Sequence, residues 1–160
     1  MFSMVPSRLL SYSVETLNTK MRKSAKLMID SGCGQDIVSV PKAIELQENG
    51  AGVKELAEPI ILRVASGKAY KVNKAIQATV RFDEGFTLER WFLVFPLHNY
   101  DILLGKRFLE DYNPHINWKT NCFRVCHEQH CWKVGPNTPA YRFKANRNVK
   151  RALRRIPADA

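Results

Sequence analysis

The chain has 160 residues, 45% of them apolar and 25% charged, with 25 Lys and Arg against 15 Asp and Glu for a net charge of +10. That length supports one domain with a core of its own, plus tails, rather than two large domains. No apolar run approaches the roughly 20 residues that cross a bilayer, so no membrane partner is expected, and the opening MFSMVPSRLLSYS lacks the apolar stretch and cleavage site of a secretory signal, which predicts an intracellular, reducing setting.

In chain order, SYSVETLNTKMRKSAKLMIDSG predicts two strands joined by a polar turn over 18–23, the second ending in Leu27, Met28 and Ile29, with Asp30 where that strand stops. SVPKAIELQENG predicts a helix with Ser39 as N-cap, Pro41 in its first turn, Ala43, Ile44 and Leu46 within, and Asn49-Gly50 as its stop. Residues 59–95 read as hairpins, one turning at Ser66-Gly67 and the next at Asp83-Glu84-Gly85, with Trp91, Phe92 and Phe95 expected in the core or at a dimer contact. YDILLGKRFLEDYNPHINW follows as an apolar strand into glycine, a short helix broken before Pro114, and a strand around Ile116 and Trp118. A third hairpin is expected over 121–134, turning at 127–130. Two stretches share a shape although not their residues: LMIDSG and ILLG are both apolar strands that run into glycine ahead of a helical pattern.

Beyond Gly135-Pro136 the composition turns polar and basic, and 148–156 could form one or two helical turns. From 141 to 160, Arg142, Lys144, Arg147, Lys150, Arg151, Arg154 and Arg155 stand against Asp159 alone, a local charge of 7 − 1 = +6. Such a segment is either a solvated tail or a non-specific attractor of nucleic acid through 141–160. Cys122, Cys126, His127, His130 and Cys131 place five soft donors within ten residues, but the spacing C-x3-C-H-x2-H-C matches no ordinary zinc site, so no metal is expected. In a hairpin Cys126 and Cys131 would face each other across the turn, as reduced thiols inside a cell. No cofactor is implied by any motif.

Taken alone, Asp30-Ser31-Gly32 fits an inert turn-capping Asp after a strand. Three ordered stretches give it another meaning. LMIDSGCGQDIVS, LRVASGKAYKV and YDILLGKRFLEDYNPHINWKT resemble, in order and spacing, the retropepsin-like aspartic proteases, in particular those of gypsy-type LTR retrotransposon polyproteins. The resemblance covers roughly Ser13 to Thr120. It implies a mostly β fold, a closed acid-protease barrel with short helices and one lobe per chain, active as a homodimer. It divides the chain into a 1–12 extension, a 13–135 protease domain and a 136–160 basic tail or linker.

The resemblance makes Asp30 catalytic, with Ser31, Gly32, Leu103, Leu104 and Gly105 supporting its loop and Ala65, Ser66, Gly67 and Lys68 forming a flap over an extended polyprotein segment. As a plain surface hairpin, 65–68 would have no such role. Hydrolysing an amide without metal or nucleophile needs one group to take a proton from water while another gives one to the carbonyl oxygen. Two adjacent carboxyls sharing one proton do both. The chain has a single Asp-Ser-Gly, so the second carboxyl must come from a second copy across a two-fold axis. Retroviral members also carry an acid four residues after the catalytic one, paired with an Arg after the later glycine. Here Gly34 occupies that place, Asp36 lies two further on and Lys106 and Arg107 follow Gly105, so that ion pair is not carried over. Cys33 stands where small residues are usual, a thiol open to oxidation beside the turn. The expected function is polyprotein processing in the cytoplasm or a virus-like particle. The alternative is a non-catalytic dimerisation or binding module of the same fold with a nucleic-acid-attracting tail.

Overall fold

A first hairpin, β1 (Leu10–Leu17) and β2 (Arg22–Ile29), opens the fold in a computed structural model that describes residues 10–18, 21–64 and 66–136. β1 alternates strictly, burying Leu10, Tyr12, Val14 and Thr16, the period-two pattern of a strand with one face on a core. Leu10 and Tyr12 are thus core residues, upstream of the boundary expected at 13. β3 (Ile37–Val38) leads into α1 (Val40–Glu48), where Ser39 Oγ accepts from the Lys42 N–H at 3.3 Å and Pro41 lies in the first turn, as the cap signals require.

β4 (Val53–Arg63), β5 (Ala69–Phe82) and β6 (Thr87–Val94) form two further hairpins. The first turns over three residues rather than the expected two: the Val64 N–H donates to the Lys68 carbonyl, the Gly67 N–H donates to Val64, and Gly67 takes φ 88°. The second turns the same way at Gly85, φ 98°. In both, glycine supplies the left-handed residue that lets a tight turn match the strand twist. β7 (Ile102–Leu104), α2 (Lys106–Tyr112), β8 (His115–Asn117), β9 (Cys122–His127) and β10 (His130–Val134) complete the described chain. Trp118 falls in the turn after β8 and is 67% exposed, not in a strand. The helix expected over 148–156 lies outside the described residues, among which no helix is long and apolar enough to cross a membrane.

The strands pair in the order β1-β2-β7-β3-β6-β5-β4, and β1 pairs also with β5, from Val14↔Phe82 to Leu17↔Thr79. Six strands are thereby linked in a ring, with β4 outside it. β8, β9 and β10 form a separate three-stranded sheet. The two stretches of similar shape lie side by side, with β2 and β7 parallel and Leu27↔Ile102, Met28↔Leu103 and Ile29↔Leu104 in register.

The main core joins both sheets through aromatic edges. Tyr12 meets Phe82 and Phe123 at 5.9 and 5.4 Å between centroids, and Phe82 meets Phe123 at 5.7 Å. Fully burying each such side chain stabilises the fold by about 1.5–3 kcal/mol. The Tyr12 hydroxyl donates to the Asn121 carbonyl at 2.6 Å, tying β1 to the turn that leads into β9. Tyr12→Phe is therefore expected to cost about 1 kcal/mol in urea denaturation, the net value of one hydrogen bond. Burial, aided by Cys122 and Glu84, pushes the phenol well above its ordinary 10.0. The folded protein therefore holds this proton more tightly than the unfolded chain, and the stability it contributes is full below pH 10.0 and is lost as pH rises beyond it. Tyr12→Phe should flatten that alkaline loss.

Candidate active site

Asp30 stands one residue past the end of β2, where the parallel pair with β7 stops. Its N–H donates to the Leu104 carbonyl at 2.9 Å, so β7 fixes the first residue of the turn. Its carboxylate is held from the other side: Oδ1 accepts from the Gly32 N–H at 2.8 Å, and the Cys33 N–H closes the turn onto the Asp30 carbonyl at 3.2 Å. A Cβ on Gly32 would sit 3.1 Å from that Oδ1, so glycine lets the backbone approach the acid it serves. Asp30 is half-buried, Ser31 and Gly32 are exposed, and no ion pair to Asp30 occurs among the described residues.

Gly105 is the buried hinge beneath this loop. A Cβ there would meet the Gln35 and Cys33 carbonyl oxygens at 2.4 and 2.5 Å. Those carbonyls are spoken for: Cys33 C=O accepts from the Lys106 N–H at 2.7 Å, and Gln35 C=O from the Cys33 thiol at 3.3 Å. Leu103 and Leu104 are buried on opposite sides of β7, Leu104 in the main core and Leu103 in a second apolar cluster.

A second acid organises the loop. Asp36 is buried, its Oδ1 accepting from the Gly105 N–H at 2.9 Å and its Oδ2 from Arg90 Nε at 2.7 Å. Arg90 reaches on to Asp111 of α2 at 2.9 Å. The basic residues after Gly105 do not serve as its partners; Arg107 instead donates to Gln35 Oε1 at 3.3 Å. Burial works against the charge on Arg90, but Asp36 and Asp111 outweigh it and raise its pKa above the ordinary value. Arg90 lies 54 residues from Asp36, and the signal in the sequence is only that a charged residue falls in phase with Leu88 and Phe92 on β6, which does not name its partner. Asp36→Asn, which keeps the shape and removes the charge, is expected to cost about 2 kcal/mol by urea denaturation, the worth of a charge-assisted hydrogen bond.

The hairpin proposed as a flap carries Ser66, Gly67 and Lys68 at an exposed tip; Ala65 lies outside the described residues. Its arms contribute Leu62 and Val72 to the second apolar cluster, which they share with Ile37, Leu103 and, partly buried, Cys33 and Met28 on the loop side. One buried apolar cluster thus joins the arms of the hairpin to the strands beside Asp30. Of the aromatics on β6 and just beyond, Phe92 is in the core, Phe95 packs on the second cluster and Trp91 is 40% exposed beneath Lys54 Nζ, 4.1 Å from its ring. Burial, with Asp30 and Asp36 nearby, raises the Cys33 pKa against the lowering effect of the Gln35 carbonyl, so the thiol stays protonated and poorly reactive.

Cys126 and Cys131, expected as facing thiols, are joined as a disulfide between β9 and β10. The register Cys126↔Cys131 brings them together once Glu128 and Gln129, at φ 51° and 65°, form the two-residue turn. Among the described residues no group of three or more His, Cys, Asp or Glu is placed to hold a metal ion.

A family model, the PEG10/RTL1 protease domain, matches residues 26–134. Among solved structures, the chain is similar to the retroviral protease-like domain of Ddi1 from Leishmania major, at 19% identity and a TM-score of 0.49, over 79% of this chain and 96% of that one. No curated protein sequence matches. Its family match spans well over half of the chain, from the strand leading into Asp30 to the end of β10, and the chain belongs to the PEG10/RTL1 protease domain family, with a retropepsin-like protease domain.

Proposed function

We propose that the chain is an aspartic endopeptidase that cuts extended, largely apolar segments of a retrotransposon polyprotein, with Asp30 from each of two copies forming the catalytic pair. The observation that carries this reading is the mounting of Asp30: a half-buried carboxylate held by the Gly32 N–H at the end of two parallel strands, with no ion pair among the described residues. A carboxylate used only to cap a turn has no need of a buried glycine beneath it, nor of a second acid bracing that glycine from below.

In the proposed reaction one carboxylate takes a proton from water as the water oxygen bonds to the scissile carbonyl carbon, and the other, protonated, gives its proton to the carbonyl oxygen. The tetrahedral diol then collapses: the carboxyl that holds the water's proton gives it to the amide nitrogen, the other carboxylate takes a proton from a diol hydroxyl, the C–N bond breaks, and the pair again shares one proton. The hairpin around Ser66, Gly67 and Lys68 closes over the substrate and excludes water. The partly buried apolar residues that border the second apolar cluster, Met28, Leu56 and Ile60, favour apolar side chains on either side of the cut. The protease domain runs from β1 to β10, and 136–160 serve as a linker or nucleic-acid anchor.

The test is incubation of the full chain with retroelement polyprotein peptides between about pH 4 and 7, where a shared-proton pair works, with products read by mass spectrometry. Cleavage at discrete sites, blocked by a statine-containing peptide, is expected. A stable dimer that cuts nothing at any pH would overturn the enzymatic reading and leave a binding module.

A further inference from the structure

The register of the small sheet builds a basic row that the protease reading does not use. His115 of β8 pairs with Arg124 of β9, and Arg124 pairs with Lys133 of β10, so three basic side chains stand side by side across all three strands. Alternation fixes where they face. Phe123, Val125 and Val134 are buried against the core, and Arg124 and Lys133, one step out of phase, are exposed on the opposite face together with His115. Adjacent strands lie about 4.8 Å apart, so the row spans roughly 10 Å. No ion pair or side-chain hydrogen bond to any of the three occurs among the described residues. The other strand residues on this face, Asn117, Cys122, Cys126 and Cys131, bring no negative charge.

Like charges directly opposite on neighbouring strands destabilise a sheet unless an anion lies over them. The same repulsion opposes a second copy of the chain docking face to face here. Lys119 is exposed in the turn that follows β8, and beside it Trp118 exposes 67% of its surface. Arg124 and Lys133, the two permanent cations of the row, offer phosphate contacts, and Trp118, in the turn that follows β8, offers an exposed ring for stacking.

We propose that the solvent face of the β8–β9–β10 sheet, through His115, Arg124 and Lys133 with Trp118 at its border, binds single-stranded nucleic acid. This surface is distinct from residues 141–160, and the proposal does not depend on cleavage activity.

The experiment is fluorescence anisotropy of a labelled 20-nucleotide oligouridine with the full chain across a salt series. Arg124→Gln/Lys133→Gln is expected to weaken binding about tenfold and to reduce the slope of log K against log salt by about 1.4, two phosphate contacts at roughly 0.7 each. Trp118→Ala is expected to weaken binding at least about fivefold. The charge-keeping pair Arg124→Lys/Lys133→Arg should bind as the wild type does, and so should Lys71→Gln/Lys74→Gln, which removes two exposed charges from β5. Far-UV circular dichroism checks that each variant is folded. The proposal is overturned if the chain does not bind the oligonucleotide, if Arg124→Gln/Lys133→Gln binds with unchanged affinity and slope, if the β5 variant loses as much, or if binding is confined to phosphatidylserine vesicles.

Discussion

Asp30→Asn is expected to lower peptide cleavage by about 10⁴-fold while leaving the dimer and its melting temperature within a degree or two of the wild type. The size of the loss follows from the chemistry. Each proton-transfer role contributes about 10²–10⁴-fold, and in a dimer of variants both roles disappear, because an amide can neither take a proton from water nor give one to the carbonyl oxygen. The structural cost is small because Asn retains the oxygen that accepts from the Gly32 N–H, and the carboxylate makes no ion pair among the described residues. Mixing supplies a sharper test of a pair built from two chains. If wild-type and variant chains exchange freely at equal concentrations, about one quarter of the dimers carry two acids, so activity should fall to about that fraction of an undiluted wild-type sample at the same total concentration. A fall only to one half would mean that each chain acts alone. Wild-type rates should follow a bell in pH, one limb for each protonation state of the pair. Cleavage by Asp30→Asn at the wild-type rate would remove Asp30 from the mechanism.

Gly105→Ala should unfold the Asp30 loop from beneath, at a cost of at least about 3 kcal/mol, the upper end for overpacking a filled interior. One methyl group would have to fit 2.4 Å from the Gln35 carbonyl oxygen and 2.5 Å from that of Cys33, distances that no real Cβ holds. Relief by rotating a side chain is closed off, since both obstacles are backbone. The loop must therefore lift, and lifting it breaks the Lys106–Cys33 hydrogen bond and the Gly105–Asp36 contact together. Urea denaturation gives the stability loss, and soluble yield should drop with it. Gly34→Ala is the matched control. Nothing lies within 4 Å of a Cβ at that position, and its stability should change by less than about 0.5 kcal/mol. Equal behaviour of the two variants would mean that the packing under Asp30 is looser than described.

Much of the architecture is legible without coordinates because its signals are local. Ser39 and Pro41 mark the start of α1, Asn49-Gly50 its end, and Gly67 and Gly85 the two hairpin turns, each through the backbone geometry of a few consecutive residues. The likeness between the strands ending at Asp30 and Gly105 could be read from their patterns, but that they lie parallel and in contact could not, since strand pairing joins residues some 75 positions apart. Asp36 shows the limit most clearly. Its partner Arg90 is in phase with the buried Leu88 and Phe92 of β6, and what the sequence does not reveal is that Asp36 and Asp111, from two other parts of the chain, meet its guanidinium there.

What the sequence determines by itself is the chemistry available: one Asp-Ser-Gly turn per chain, the glycines that permit its neighbours, and an excess of positive charge toward the end. The tertiary structure decides which groups share a space. It sets Gly105 under the Asp30 loop, gives Asp36 to Arg90, closes Cys126 onto Cys131, and lines up His115, Arg124 and Lys133 on one face. The division has a physical origin: turn and cap preferences are settled by steric limits within a few bonds, whereas burial, ion pairing and cross-strand register depend on parts of the chain that meet only after it folds.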